Sequence, residues 1–539
     1  MKKNVLALSI ATMIGGLGFA GAASAALTVN ESGTGHILVV PYYTAQNGNA
    51  TVFHLTNTDL VNGKAVKVRF RGASNSDDVL DFQVFLSPGD VWTAAVSADA
   101  NGLSQLVTGD NTCTVPAITP GTPVPFIKDR LTKASWTDAQ KNEQTREGYI
   151  EILNMADIDS AKIYGTSGVR GVTGGAWSAG TANSALYTAI KHVAGKAPCT
   201  PAALAALDGI DPAQNNNINA NGAQNFGLTA PTDGLAGAWY VINVPDSTTF
   251  SGAANAIVSS TTPDAVLYSP QLAQPAALKS ADPLLNSGLV AAQHYDVPDL
   301  STPLLQADTA EVQAAALTKA LAHTSVSNQY VTDATISAKT DWVFSMPTRR
   351  YMVAANYSAA VGAPYGVSAV STAAPALLAD GTGTVGAFDA NVADASKAYR
   401  VFNQAVVDAV APLKVFLFTE KAANSTVNAD GQICATASTQ VFFDREETSK
   451  KDGAVFSPGT TTKLAVCGEV SVVTFGATSV TGATVSKKTA AAPYTNGWGY
   501  VQFAQSVPVL GAAFQKGTNP SASQGMIGNY GVTWPHVYK

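Results

Sequence analysis

Between Ala50 and Ser97 the dominant pattern is a strict alternation of apolar and polar positions. Phe53 and Leu55 fall on one face of Thr51 to Asn57. Val66, Val68 and Phe70 share a face of the next segment, with Lys67, Arg69 and Arg71 on the other. Leu80, Phe82, Val84 and Leu86 alternate with Asp81 and Gln83, and Trp92, Ala94 and Val96 form the apolar side of a fourth run. A period of two is the signature of half-buried strands, so four strands are expected. Asn62-Gly63 is a hairpin signal between the first two, and Ser87-Pro88-Gly89-Asp90 supplies a turn, with proline setting φ and glycine accepting a positive φ. The block reads as an antiparallel meander within a β-sandwich.

Strand patterns return at Gly148 to Leu153, Ala238 to Val244, Asp341 to Ser345, Lys414 to Thr419, Thr439 to Asp444, Gly468 to Phe475 and Gly499 to Ala504. Between them, Ala161 to Leu235 is rich in Gly, Ala and Asn, and Ser247 to Pro303 in Ala, Pro and Ser, so both read as long insertions or loops. Helix is the minority state. Asp308 caps an expected helix over Thr309 to His323 with Glu311 at the capping-box position, and Tyr399, Phe402 and Val406 give helical spacing to Ala393 to Val410. The expected fold is mainly β: one or two antiparallel, Ig-like β-sandwich domains with long Ala/Gly/Asn-rich insertions and a few short helices. The segments would be sandwich strands over 26–159, a loop-rich insertion layer over 160–306, a mixed segment with two helices over 307–412, and β strands over 413–539 that form a second domain or complete the same sandwich.

Ahead of these lies Met1 to Ala25, where Lys2 and Lys3 precede an apolar run from Val5 to Ala22 ending in Ala23-Ser24-Ala25. That layout predicts a signal peptide cleaved near Ala26, and hence an exported protein of the cell surface or extracellular space. Two of the 32 basic residues are Lys2 and Lys3, so cleavage moves the formal charge from −6 to −8. Only 13% of residues are charged against 46% apolar, which leaves an unusually neutral surface. No basic face concentrates charge for nucleic acid, whereas copies of the chain barely repel each other. Beyond the signal segment no run of about 18 apolar residues predicts a spanning helix. The first cysteine, Cys113, is far from the cleavage site, and the alternation is too interrupted for a spanning barrel. In an exported chain four cysteines imply two disulfides with three possible connectivities, and proximity suggests Cys113 with Cys199 and Cys434 with Cys467. No close Cys pair or neighbouring His supports zinc.

Several short blocks carry a family likeness. Gly48 to Thr51, Asn57-Thr58-Asp59, Gly63 to Gly72, Leu86 to Trp92, Thr340-Asp341-Trp342 with Met346 to Arg349, Phe443 to Glu447 and the closing Tyr530-Gly531-Val532-Thr533-Trp534 resemble exported cell-surface proteins of Gram-negative bacteria, some of them surface-layer-like. The resemblance implies a surface-exposed, assembling protein and carries over no catalytic residue.

Candidate chemistry is sparse. Calcium has two candidate sites. Asp208 and Asp211 precede Asn217, Asn219 and Asn221 at alternate positions before Gly222, as in a calcium loop, although Leu228 stands where a bidentate glutamate belongs. Asp77, Asp78 and Asp81 form the second, the alternative there being pairing with Lys67, Arg69 and Arg71 on the adjacent strand. Gly381 to Gly386 matches a dinucleotide fingerprint without a preceding strand, and Ala176 to Gly180 approaches a hydrolase nucleophile elbow without a strand-to-helix turn. Six scattered histidines offer no His-Glu-x-x-His pattern, and Asp444, Glu446 and Glu447 could serve a glycosidase or simply end a strand. Trp136, Trp177, Tyr42 and Tyr43 are either sugar-stacking rings or core anchors. The expected function is a non-catalytic, self-assembling surface protein. The alternatives are an adhesin or carbohydrate-binding module that meets a cell-surface polysaccharide, and then a secreted hydrolase.

Overall fold

In the computed structural model, which describes residues 27–128, 131, 136–160, 185–210, 223–260, 266, 268–271, 298–300, 316–349, 354–356, 399–401, 425–427, 432–449, 463–491, 493–519, 521–522 and 528–539, the four strands expected between Ala50 and Ser97 all form, but they divide between two sheets. The first sheet runs Leu27–Val29, Asn255–Ser259, Ile37–Thr44, Glu147–Ile158, Gly63–Gly72, Asp78–Leu86 and Cys113–Val115, with Leu228–Thr229 beside Glu147–Ile158. The second runs Val124–Pro125, Ser104–Val107, Val91–Ala98, Asn49–Asn57, Leu235–Asn243 and Thr248–Ala253, with Thr34–Gly35 beside Leu235–Asn243. Both are antiparallel and face each other as a sandwich, larger than an immunoglobulin domain.

The expected meander is therefore corrected. Asn49–Asn57 pairs with Val91–Ala98, not with Gly63–Gly72, and Asn62-Gly63 closes no two-residue hairpin. The side chains of Asn57 and Asp59 explain the difference. Asp59 Oδ1 accepts from the backbone N–H of Val61 (2.7 Å) and Asn62 (3.1 Å), and Asn57 Nδ2 donates to the carbonyls of Asn62 (2.8 Å) and Ser87 (3.0 Å). These bonds turn the chain from one layer to the other. Its reward is a core in which Phe53 meets Phe70 (5.7 Å between ring centroids) and Trp92 (5.5 Å), and Trp92 meets Phe82 (5.5 Å).

The segment expected as a loop-rich layer contributes to the sandwich itself. Thr248–Ala253 and Asn255–Ser259 are strands, and Phe250 and Ile257 are their buried anchors among small residues. Gly252 matters because a Cβ there would lie 2.6 Å from the Trp239 ring on the paired strand. Short helices Ala185–Ile190 and Pro201–Ala205 lie on the outer face of the first sheet, where Leu186, Ile190 and Leu207 bury against Phe85, Met155 and Ile158.

The C-terminal half adds two sheets. The third runs Lys487–Ala490, Val470–Phe475, Lys339–Ser345, Leu510–Thr518 and Asn529–Pro535, its first pair parallel and the rest antiparallel. The fourth runs Ser425–Val427, Ile433–Phe443, Asn496–Pro508, Ala322–Val331 and Val537–Tyr538, with Ala465–Cys467 beside Ile433–Phe443. Alternation in the third sheet serves two cores at once. Val343, Val472, Ala512 and Phe514 join the N-terminal core, where Phe514 reaches Tyr42, Trp239 and Phe250. Trp342, Phe344, Val473, Phe475 and Ala513 face Val326, Tyr330, Val501 and Phe503 of the fourth sheet.

The expected helix up to His323 stops earlier. Residues 316–320 are helical, and Ala322–Val331 is a strand whose Val326 and Tyr330 enter the core, so His323 stacks on Tyr538 (4.3 Å) and caps no helix. Inside the second expected helix, Tyr399–Val401 is a strand paired with Ala354–Asn356. The remainder of that segment and the expected strand at Lys414 to Thr419 lie outside the described residues, as does Met1 to Ala25.

Candidate binding surface and buried polar sites

Strand Gly63–Gly72 alternates as expected, yet both its faces are buried. On the face away from the core, Arg71 pairs with Glu151 (3.1 Å) and Asp299 (2.7 Å), Arg69 with Asp78, and Lys67 with Asp81. Lys64 meets Asp157 at 3.0 Å. Residues 268–271 and 298–300 seal this face: Gln271 Oε1 accepts from Lys67 (2.7 Å), Tyr268 donates to Gln83 Oε1 (2.7 Å), and Gln83 Nε2 donates to the Ser269 carbonyl (2.6 Å). Burial pushes the Glu151 carboxyl above its usual range, with Arg71 and Arg69 pulling it back. Of the second calcium candidate, Asp78 and Asp81 are thus engaged by cations, the charge pairing that the strand spacing offered as the alternative, and Asp77 is buried beside them. Asp208 is exposed on the 3₁₀ turn Ala206–Gly209. Asp211, Asn217, Asn219 and Asn221 lie outside the described residues, among which no group of three or more His, Cys, Asp or Glu side chains converges as a metal site.

A second buried polar site joins the two halves. Glu147, from the first sheet, accepts from Gln46 Nε2 (2.9 Å), from the backbone N–H of Thr484 (2.7 Å), Val485 (3.0 Å) and Ser486 (3.3 Å), and from the Ser486 hydroxyl. Asp341, from the third sheet, accepts from Ser479 Oγ (2.6 Å), Thr481 N (2.9 Å) and Thr481 Oγ1 (3.0 Å). One Ser/Thr-rich loop therefore holds a carboxylate from each half, and Asn49 Nδ2 donates to its Thr481 carbonyl (2.7 Å). Gly482 (φ +71°) permits the fit, since a Cβ there would come within 2.7 Å of Asn47 Cβ. Both carboxylates are fully buried beneath this loop.

Among the described residues one Ser/His/Asp grouping occurs, and its geometry is not that of a catalytic triad. Ser87 Oγ (3.2 Å) and Asp90 Oδ2 (3.5 Å) approach the same ring nitrogen, Nδ1 of His192, whereas a triad needs one partner on each nitrogen. Asp90 Oδ2 is also committed to the Ser87 N–H (3.1 Å) and the Thr112 hydroxyl (3.2 Å). Asp444 Oδ1 accepts from the N–H of Glu446 and Thr448 (both 2.8 Å), so this acidic cluster folds a turn. The dinucleotide-like and elbow-like motifs fall outside the described residues.

The aromatic residues separate by region. Tyr42, Tyr43 and Trp136 are buried, and Trp177 is outside the described residues. Among the described residues the exposed large aromatics are Trp498 (43%), Tyr530 (58%) and Trp534 (43%), all in the C-terminal half. Tyr530, Val532 and Trp534 share one face of the edge strand Asn529–Pro535, opposite Gly517, Gln515 and Ala513. That is the face by which Ala513 and Trp342 enter the core, but this strand stands beyond its cover. Sequence reasoning used this block only for a family likeness and missed the surface; the signal available was the alternation of Tyr530, Val532 and Trp534.

Cys113 is bonded to Cys199 and Cys434 to Cys467, as proximity suggested. No helix among the described residues is long and apolar enough to cross a membrane. Comparison with protein-family models, with curated proteins and with solved structures finds no match for this chain.

Proposed function

We propose that this chain is a non-catalytic, exported cell-surface protein that associates laterally with copies of itself as a coat. The observation that carries the reading is the uncharged apolar row Tyr530, Val532 and Trp534, exposed on a single strand face. Its low charge supports the same reading, because like-charge repulsion between copies is weak. Two closed disulfides suit an oxidising compartment. The buried carboxylates and the Ser87, His192 and Asp90 group are absorbed by structural hydrogen bonds, which supports a role without catalysis.

Sedimentation velocity of the purified protein over a range of concentrations, with and without calcium, tests this. Self-association is expected, and combined Tyr530→Ser, Val532→Ser and Trp534→Ser should weaken it at least about tenfold, or about 1.4 kcal/mol. A wild-type monomer at every concentration, dispersed in the periplasm on fractionation of cells, would refute the reading.

A further inference from the structure

The outer face of the fourth sheet carries a different surface from the Tyr530 row. Its cross-strand register places three rows side by side: Phe443, Trp498 and Gln329; Val441, Tyr500, Ser327 and Val537; Thr439, Gln502 and Ser325. These ten positions include no charged side chain. With strands about 4.8 Å apart and alternate residues about 7 Å apart, the rows span about 14 Å in each direction.

Trp498 is the largest ring of this face and stands in its first row. Its indole lies nearly parallel to the Phe443 ring, 4.5 Å between centroids and 14° between planes, with Tyr500 6.5 Å away. Phe443 thus supports one face of the indole, and Trp498 remains exposed. A ring fixed by its cross-strand neighbour loses little rotamer freedom when a ligand stacks on it. Gln329 is exposed beside it and Gln502 is exposed two rows along the same strand face, and no hydrogen bond within the described residues engages their side-chain amides, each of which offers two donors and an acceptor. The hydroxyls of Tyr500, Ser325, Ser327 and Thr439 add further donors and acceptors.

We infer that this face binds an uncharged polysaccharide, one sugar ring stacking its C–H face on Trp498 while hydroxyls of successive sugars along the polymer bond to Gln329, Tyr500 and Gln502. The chemistry of the face selects this occupant. Nucleic acids and acidic glycans require cations, which the ten positions lack, and a purely apolar partner would leave the amides unpaired. A pyranose ring has both an apolar face and a rim of hydroxyls, matching an aromatic plate bordered by amides. The site is separate from the Tyr530 row and goes beyond self-association: it supplies a neutral polymer for the chain to hold.

Affinity electrophoresis of the whole protein in gels containing hydroxyethyl cellulose, galactomannan or soluble starch, with alginate as the anionic control, tests the inference. At least one neutral polymer should retard the wild type and alginate should not. Trp498→Ala should weaken that binding at least about tenfold, with circular dichroism unchanged. Gln329→Ala with Gln502→Ala, which leaves the aromatic stack intact, should weaken it by a smaller factor. Combined Tyr530→Ser, Val532→Ser and Trp534→Ser should bind as wild type, and Trp498→Ala should sediment as wild type, so this inference and the self-association reading fail separately. Absence of retardation by all three neutral polymers, equal retardation by alginate, or undiminished binding in both the Trp498 and the Gln329/Gln502 variants would overturn it. Loss of self-association in Trp498→Ala without polysaccharide binding by the wild type would instead make this face a contact between copies.

Discussion

Strands Gly63–Gly72 and Asn496–Pro508 show the same alternation, and the molecule uses their polar sides in opposite ways. In the first, Lys67, Arg69 and Arg71 point away from the core but remain fully buried, because residues 268–271 and 298–300 close over them and carboxylates neutralise them. In the second, Trp498, Tyr500 and Gln502 point away from the core, Trp498 and Gln502 are exposed, and the face carries aromatic and amide groups without charge. Alternation therefore reports that one face is buried and is silent on whether the other is wet. Residue type runs against intuition here: the charged strand is the interior one and the aromatic strand is the exposed one. Charges can enter the interior because each finds a partner, and rings can stay outside where a ligand or a neighbour covers them.

The contrast breaks most readily at Arg71. Arg71→Ala leaves Glu151 and Asp299 buried without their shared cation and should cost about 3 to 5 kcal/mol of stability, measured as a lower urea midpoint. A loss under about 1 kcal/mol, the range of solvent-exposed ion pairs, would show that the covering segment leaves this face wet.

His536 sharpens the comparison, because the C-terminal half keeps this buried titratable group neutral instead of pairing it. Its Nε2 donates to the Val343 carbonyl (2.8 Å), Nδ1 accepts from Asn328 Nδ2 (2.9 Å), and burial lowers its pKa from 6.5 to about 4. A depressed histidine pKa means that the unfolded chain binds the extra proton first. Stability from this group is thus complete above pH 6.5 and declines as pH falls toward about 4, by on the order of 3 kcal/mol. Urea melts at pH 7 and pH 4.5 should show this decline in the wild type and a shallower one in His536→Leu. An equal slope in the two proteins would remove His536 from the account.

Much of the sandwich was legible because period-two runs such as Val66, Val68 and Phe70 dictate a buried face whichever partner strand is chosen. Partner choice was less legible. Asn62-Gly63 is a sound hairpin signal locally, and only the bonds from Asn57 and Asp59 to positions brought together by folding direct the chain across the layers. Thr248–Ala253 escaped notice because a strand with Phe250 alone among Thr, Ser, Gly and Ala has almost no pattern of its own and borrows its order from Leu235–Asn243. Both cysteine pairs followed from proximity in sequence. The candidate surface was the least legible part: Trp498 and the Tyr530 row are exposed through the extent of neighbouring strands, a property of the assembled sheets that no local spacing encodes.

Hydroxyl-radical footprinting of the protein at low and high concentration tests the central contrast most directly. The account predicts that Trp498, Tyr530 and Trp534 are oxidised in dilute protein, that Tyr530 and Trp534 become protected as copies associate, and that buried Tyr42, Tyr149 and Tyr268 stay unmodified throughout. Oxidation of Tyr149 and Tyr268 to the level of Trp498, or no protection of Tyr530 and Trp534 at any concentration, would contradict it.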